Sequence, residues 1–345
     1  MEIRPQLNLV THVDRLKYVR SAINADNSRT TNFLEPEFEI LFWDTNGQKQ
    51  RGNLYYAMTS SAPDMMYGLN YTDDADPLNV YVYGNTKLKN SQYHRLDLTY
   101  TNSQGRVTLA PGFFYHMHRN NIAMAYMYDS KTGRRTYSPM NVNGNWDMQL
   151  KFDMNGALDK KKRIYFTSSS QWQYINSVDM IGSGVNSTPQ KSTVKTSILS
   201  QYAYINRSFG KHSVSLSGSF AWINSTGNID SFTAINAYNF NYGVNTYWAL
   251  PWKFELESDF IVYSRRGYED SAMNDNNLVW NARLTRSLFK GNVVLKLDAF
   301  DIFHQLKKVD RIINSQGRTE RYYNSMPQYV LFHAIYRFNI KPKKK

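Results

Sequence analysis

Apolar and polar residues alternate along much of this chain with a period of two, most clearly between Asn236 and Ser264. Tyr238, Phe240, Tyr242, Val244, Thr246 and Trp248 fall on one face, with Asn239, Asn241, Gly243 and Asn245 on the other. Beyond Ala249-Leu250-Pro251, Trp252, Phe254, Leu256, Phe260 and Val262 alternate with Lys253, Glu255, Glu257 and Asp259. Successive side chains of a strand point to opposite faces, so this pattern predicts two antiparallel strands joined by a tight turn. One face is apolar and aromatic and the other carries three acids. Trp248 and Trp252 bracket the turn, where a bilayer interface favours amphipathic rings. Segments of about ten residues, apolar outward and polar inward, are the signature of a membrane β-barrel.

The same reading runs through the rest of the chain. Strands are predicted at about Pro5 to Tyr18, Leu34 to Asp44 and Gly52 to Thr59. A loop to Asn32 follows the first, and the Asn-Gly turn Thr45-Asn46-Gly47-Gln48 joins the second and third. A long excursion, Ser60 to Asn90, precedes a strand at Ser91 to Asn102 and a turn at Asn102-Ser103-Gln104-Gly105. The strand rising from Arg106 reads through Asn120-Asn121 to Tyr128. Strands follow from Trp146 to Met154 and Ile164 to Tyr174, then a loop from Ser177 to Ser192. The next strand ends at Phe209-Gly210-Lys211. Beyond it Val214, Leu216, Gly218, Phe220 and Trp222 oppose a comb of Ser213, Ser215, Ser217 and Ser219. After the central hairpin come strands at Asn277 to Leu288 and Asn292 to Phe303, a loop from His304 to Ser325, and a last strand carrying Val330 to Phe338. Connections alternate long and short through about fourteen strands, so all short turns share one end, as in bacterial outer-membrane barrels. All seven Trp fall near predicted strand ends, as aromatic girdles require.

Composition sharpens this picture. In 345 residues no apolar run is long enough to cross a bilayer as a helix, and the mean hydropathy is −0.58. Barrel strands show lipid only every second residue, so low hydropathy is compatible with a membrane protein. Aromatic residues make up 15%, including 26 Tyr, which suits girdles. Cysteine is absent, which removes disulfides and cysteine metal sites. The net charge of +13 is concentrated in Lys160-Lys161-Lys162-Arg163 and the tail Lys341, Lys343, Lys344 and Lys345. No nucleic-acid motif accompanies either cluster, and both read as solvated basic segments. Met1-Glu2-Ile3-Arg4 is followed by neither an apolar core nor a small-residue cleavage site, so no signal peptide is read here.

Candidate chemistry is sparse. Asp73, Asp74 and Asp76 lack the dense oxygen-ligand spacing of a calcium loop. His116 and His118 share a strand face, but no carboxylate or third His is recognisable beside them in the sequence. Glu255, Glu257 and Asp259 read as solvated lumen wall rather than a catalytic pair. No nucleophile triad, phosphate loop or paired-carboxylate motif stands out, so no enzyme is predicted. No residue is assigned a catalytic, cofactor-binding or metal-binding role, and the ligand-binding residues are unknown.

Several stretches carry a family resemblance: Ser60-Ser61-Ala62-Pro63, Asp76-Pro77-Leu78-Asn79-Val80 and Gly84-Asn85-Thr86-Lys87-Leu88-Lys89. So do Asn141-Val142-Asn143-Gly144-Asn145-Trp146, Ser264-Arg265-Arg266-Gly267-Tyr268, Leu278-Val279-Trp280-Asn281-Ala282, Asp298-Ala299-Phe300-Asp301-Ile302 and Tyr336-Arg337-Phe338-Asn339-Ile340. Together they resemble the outer-membrane β-barrel family of Bacteroidota, which is similar to the C-terminal barrel of TonB-dependent receptors. Thr86 stands where the family usually has Pro. The resemblance implies an all-β fold over residues 1–345, an antiparallel transmembrane β-barrel forming the C-terminal part of a receptor barrel of about 22 strands. It implies an integral outer-membrane protein, without a plug domain here, that takes up a large nutrient such as a glycan or a peptide. The loops Ser60 to Asn90 and His304 to Ser325 would catch that ligand. The partners implied are outer-membrane lipid and lipopolysaccharide, a surface lipoprotein or an upstream barrel and plug segment, and no cofactor or nucleic acid. A passive pore, an adhesin-like surface barrel or a receptor fragment without function of its own are the alternatives.

Overall fold

In the computed structural model the chain is almost entirely strand. The structure describes residues 1–338, apart from 21–22, 45–48, 104, 184–187, 230–231, 269–270, 272–273, 307, 315–316 and 324–327. The Asn-Gly turn at 45–48 and the lysine tail lie outside the described residues. The strands are β1 (Glu2–Arg20), β2 (Ile23–Trp43), β3 (Gln50–Ser61), β4 (Thr72–Asp73), β5 (Asn79–Val82), β6 (Ser91–Asn102) and β7 (Val107–Arg119). They continue as β8 (Asn121–Tyr128), β9 (Arg135–Val142), β10 (Trp146–Ala157), β11 (Ile164–Ser183), β12 (Gln190–Phe209) and β13 (His212–Gly227). The rest are β14 (Ile235–Leu250), β15 (Phe254–Arg266), β16 (Asn276–Leu288), β17 (Val293–Phe300), β18 (Lys308–Asn314), β19 (Gly317–Tyr323) and β20 (Tyr329–Tyr336).

One 18-stranded sheet dominates. Its wall is a run of antiparallel neighbours, β1-β2-β3-β6-β7-β10-β11-β12-β13-β14-β15-β16-β17-β20. The skipped strands β4, β5, β8 and β9 are excursions at the long-loop end, and β18 and β19 form a separate hairpin. Among the described residues β1 pairs as a strand only with β2, and β20 only with β17.

Register decides facing, because residues directly opposite in an antiparallel ladder point to the same side. Ile205 faces Leu216, which faces Val244, which faces Phe260 and then Trp280. That row is apolar and large, and Leu216 in it is 56% exposed. The offset row, Ser217–Gly243–Ile261 with Ser215–Asn245–Asp259–Asn281 beside it, is mainly polar. Exposed apolar side chains on one face of most wall strands need a hydrocarbon solvent, and polar side chains on the other need water.

The aromatic belts follow. Trp172, Trp222 and Trp280 donate their indole N–H groups to Ser197 (2.9 Å), Asn236 (2.6 Å) and Ser258 (2.9 Å) on neighbouring strands. Each ring keeps an apolar body while its one donor is satisfied, as an interfacial Trp requires. Trp43, Trp248 and Trp252 lie at the short-turn end. Tyr238 and Trp248 are about ten residues apart on β14; at about 3.3 Å per residue and a tilt of about 40°, the band between them is about 25 Å tall.

Several boundaries differ from the sequence reading, for one reason. On the long-loop side the strands overshoot the membrane. β1 and β2 pair continuously from Glu2↔Leu41 to Arg20↔Ile23, through the stretch expected to loop. β11 and β12 likewise run through much of the expected Ser177 to Ser192 loop, pairing as far as Ile181↔Gln190. Backbone pairing persists above the lipid, where the side chains turn polar and the alternation cue fades: Thr11↔Asn32 and Lys17↔Asp26 share the face that lower down carries Leu9↔Leu34. Trp172 therefore sits inside β11 rather than near its end. The strand rising from Arg106 does not continue to Tyr128. It breaks at Asn120, whose φ of 51° is the left-handed region Asn tolerates, and β8 starts a separate hairpin with β9.

Candidate functional site

Two features stand out: a polar inner wall and, at the long-loop end, a cap built from the excursions. On the wall, Glu257, Arg283, Asp298 and His333 project from the successive strands β15, β16, β17 and β20. The Arg283 guanidinium donates to Asp298, lies 3.9 Å from Glu257, and His333 Nε2 is 3.0 Å from the other Asp298 oxygen. Asp298 is only 4% exposed, so three strands are tied through one nearly buried carboxylate. Asp259 accepts from Asn281 at 2.8 Å, and Glu255 stands opposite Thr285. The three acids thus stand on one polar wall, two of them engaged with the neighbouring strand.

A second cluster lies across β6, β7 and β10. Arg95 pairs with Asp97, while the His116 ring lies 3.3 Å from Asp147 through Nδ1 and 3.6 Å from Asp97 through Nε2. The carboxylates invisible beside His116 in sequence come from the two strands that flank it, because cross-strand neighbours are far apart along the chain. His118 shares the face but packs on Tyr93, with ring centroids 4.8 Å apart. Among the described residues no group of three or more His, Cys, Asp or Glu is arranged to hold a metal ion.

The cap is folded rather than loose. After β3 the chain makes a short 3-10 turn, Met65–Gly68, whose first amides are capped by Asp64 accepting from Met66 N at 2.9 Å. β4 and β5 then pair, β5 joins β9 in parallel, and β8 joins the upper end of β11 in parallel. Asp76 accepts from Leu78 N and from the Asn79 side chain. The Asn79 hydrogen bond, and then the Leu78 amide, hold its carboxyl below the usual carboxylate range. Asp73 accepts from Ala75 N and lies 3.5 Å from Arg20. Two of the three loop acids are thus engaged with their own backbone.

The family-like motif residues turn out to be the fastenings. Asn141 accepts from Lys89 N at 2.7 Å and donates back to Lys89 O at 3.0 Å. Asn143 accepts from Asn120 N at 2.7 Å. Asn145 exchanges both hydrogen bonds with Val178. Asn85 donates to Pro139 O. The Asn-x-Asn-x-Asn spacing, a period of two on the edge of one extended segment, pins the 62–90 excursion, the β8–β9 hairpin and β11 together.

Tyrosines line this cap. Tyr67, Tyr71 and Tyr81 lie 6.0 to 6.4 Å from Tyr83 with interplanar angles of 12 to 16°, and Tyr81 stacks on Tyr137 at 4.8 Å. The row reaches the wall where Tyr71 meets Tyr18 and Arg20 on β1. A hydrogen bond with Tyr18, then desolvation, push the Tyr71 phenol up to about 12. Below the row, Arg29 bridges Asp14 (2.7 Å) and Pro63 O (2.6 Å). A cleft of about 540 Å³ opens there, lined by His12, Asp14, Arg15, Arg29 and Asp64 among others. Its size lies in the range of ligand pockets. No sequence signal singled out this cleft, because its walls come from three separate stretches of chain, 12–16, Arg29 and 61–65.

The comparisons with known proteins agree with this geometry. The outer membrane protein beta-barrel family matches residues 24–336. The chain belongs to that family. It is accordingly a protein of the bacterial outer membrane. No curated protein matches it. Among solved structures it is similar to a point mutant of the ferric enterobactin receptor of Pseudomonas aeruginosa, at TM-score 0.52 and 11% identity over 90% of this chain and 44% of the receptor. A second point mutant of that receptor, in complex with enterobactin, gives TM-score 0.50 and 9% identity over 86% of this chain and 44% of the receptor. At such identity the likeness is one of fold, and the chain spans less than half the length of these receptors.

Proposed function

We propose that this chain is a membrane wall and ligand-facing mouth of a Bacteroidota-type uptake receptor for a large solute, a glycan or a peptide. The observation that carries the reading is the cap. Two excursions, fastened to each other by the asparagine clasp, build a tyrosine row and a cleft against the polar face of β1. A passive pore has no need of so ordered a mouth. The wall is one arc of a larger barrel of about 22 strands. The single-sided pairing of β1 and β20 supports this, since unpaired strand edges are prohibitive in lipid. The strands and plug that complete the barrel are the upstream partner, a surface lipoprotein seats on the cap, and lipopolysaccharide surrounds the outer belt.

The test uses the protein as its host makes it. Strains carrying the wild type or a version lacking 62–90 are compared for growth on panels of glycans and peptides, with and without a protonophore. Loss of growth on one class of large substrate, mimicked by the protonophore in the wild type, is the expected result. Uptake indifferent to both treatments would establish a passive barrel instead.

A further inference from the structure

The short-turn rim carries a feature that transport does not use. Lys and Arg sit in or beside the short connections: Lys49, Arg106, Lys160 to Arg163, Lys211, Lys253 and Lys290. Their end of the wall is the same for all, since alternate strands run antiparallel. Two acids in the short turns are occupied internally: Asp159 accepts from Arg163 N (2.6 Å), Ile164 N (2.9 Å) and the Arg163 side chain, and Asp44 accepts from Lys49 N (3.5 Å). None of Lys160, Lys161, Lys162, Lys253 or Lys290 has an ion-pair partner among the described residues. The opposite end mixes signs, with Asp64, Asp73, Asp74, Asp76 and Asp129 among its cations.

Two of these turns are also conformationally costly. Trp252 and Lys253 have φ of 57° and 62°, and Phe289 and Lys290 have φ of 50° and 57°. Two consecutive left-handed residues belong to a turn that normally takes Asn-Gly, and side-chain-bearing residues there are strained. Both turns nonetheless place an aromatic residue and a lysine at these positions. Trp252 is 82% exposed and Phe289 73%, so neither ring packs on the chain. An unpacked aromatic beside an unpaired lysine, held at a strained turn tip directly below a lipid-facing band, matches a surface that is apolar just beneath a layer of anions.

We propose that the short-turn rim is a docking collar for anionic phospholipid headgroups of the periplasmic leaflet. Trp252 and Phe289 enter the interface, and Lys160 to Lys162, Lys253 and Lys290 bind the phosphates. The exposed rings favour a lipid over a soluble polyanion, which would need the cations but not the aromatics.

The protein, extracted from outer membranes and placed in nanodiscs, is probed by electron paramagnetic resonance with spin-labelled phosphatidylglycerol and phosphatidylcholine. A juxtamembrane lysine near an anionic surface favours it by about fivefold, so phosphatidylglycerol should be preferred by at least that factor. Raising salt to about 0.5 M should bring the ratio towards unity by screening. The K160Q/K161Q/K162Q/K253Q/K290Q variant should lose the preference, while K131Q/R134Q/R135Q at the opposite end should keep it. W252N/K253G should melt higher than the wild type and yet prefer phosphatidylglycerol less. A wild type without preference, or a preference that survives either the five substitutions or high salt, would overturn the proposal. If the five-site variant does not insert, the salt titration of the wild type decides alone.

Discussion

Introducing a charge at Leu216 tests the facing of the whole wall. Leu216 lies opposite Ile205 and Val244 and is 56% exposed on the apolar face. Its partner Val244 is about six residues from Tyr238 and about four from Trp248, which places the pair about 15 Å below one belt and about 10 Å above the other. That is near the middle of the hydrocarbon, where an outward Arg costs about 2–4 kcal/mol. Ser217, one residue on, faces Gly243 on the polar side, so Ser217→Arg should change stability by no more than about 0.5 kcal/mol. Equilibrium unfolding in lipid vesicles, with denaturant midpoints for wild type, Leu216→Arg and Ser217→Arg, measures both. A slip of one residue in register would exchange the two results. Equal costs for the two variants would refute a two-faced wall.

Three further outcomes are expected. Arg283→Met should destabilise by about 2 kcal/mol and Asp298→Asn by less, because the first strands a nearly buried carboxylate and the second removes the charge; thermal unfolding in detergent ranks them. Asn145→Ala removes both bonds to Val178, and hydrogen exchange should show faster opening of the extracellular hairpin, with wall strands such as β13 and β14 unchanged. Asp159 is held below its usual pKa of 3.8, chiefly by the Ile164 amide, so its contribution is present above that pH and lost as pH falls through the lower folded-state value. Exchange at Ile164, corrected for intrinsic rate, should accelerate only in that acid window, and Asp159→Asn should abolish the pH dependence.

The wall was legible because lipid imposes a strict period of two. Val214 to Trp222 against the serine comb and Tyr238 to Trp248 against the asparagines both fell on the faces assigned from sequence. What was not legible lies above the lipid. There the β1–β2 and β11–β12 ladders continue without an apolar face to announce them, and β4, β5, β8 and β9 are short strands held by long-range pairing. The cap and its cleft were equally hidden: Arg29 and Pro63, or Asn145 and Val178, meet only through the fold. The motif asparagines carried a family resemblance before their role was visible, and that role is mechanical.

The most direct test is topological, and a chain without cysteine is ready for it. Single cysteines placed at Asp74 in the cap and at Lys161 in the basic turn would be treated with a membrane-impermeant maleimide on intact cells. Asp74→Cys should label at once, and Lys161→Cys only after the outer membrane is permeabilised. Labelling of Lys161→Cys in intact cells, or protection of Asp74→Cys, would contradict an outer-membrane wall with its short turns in the periplasm and its cap outside.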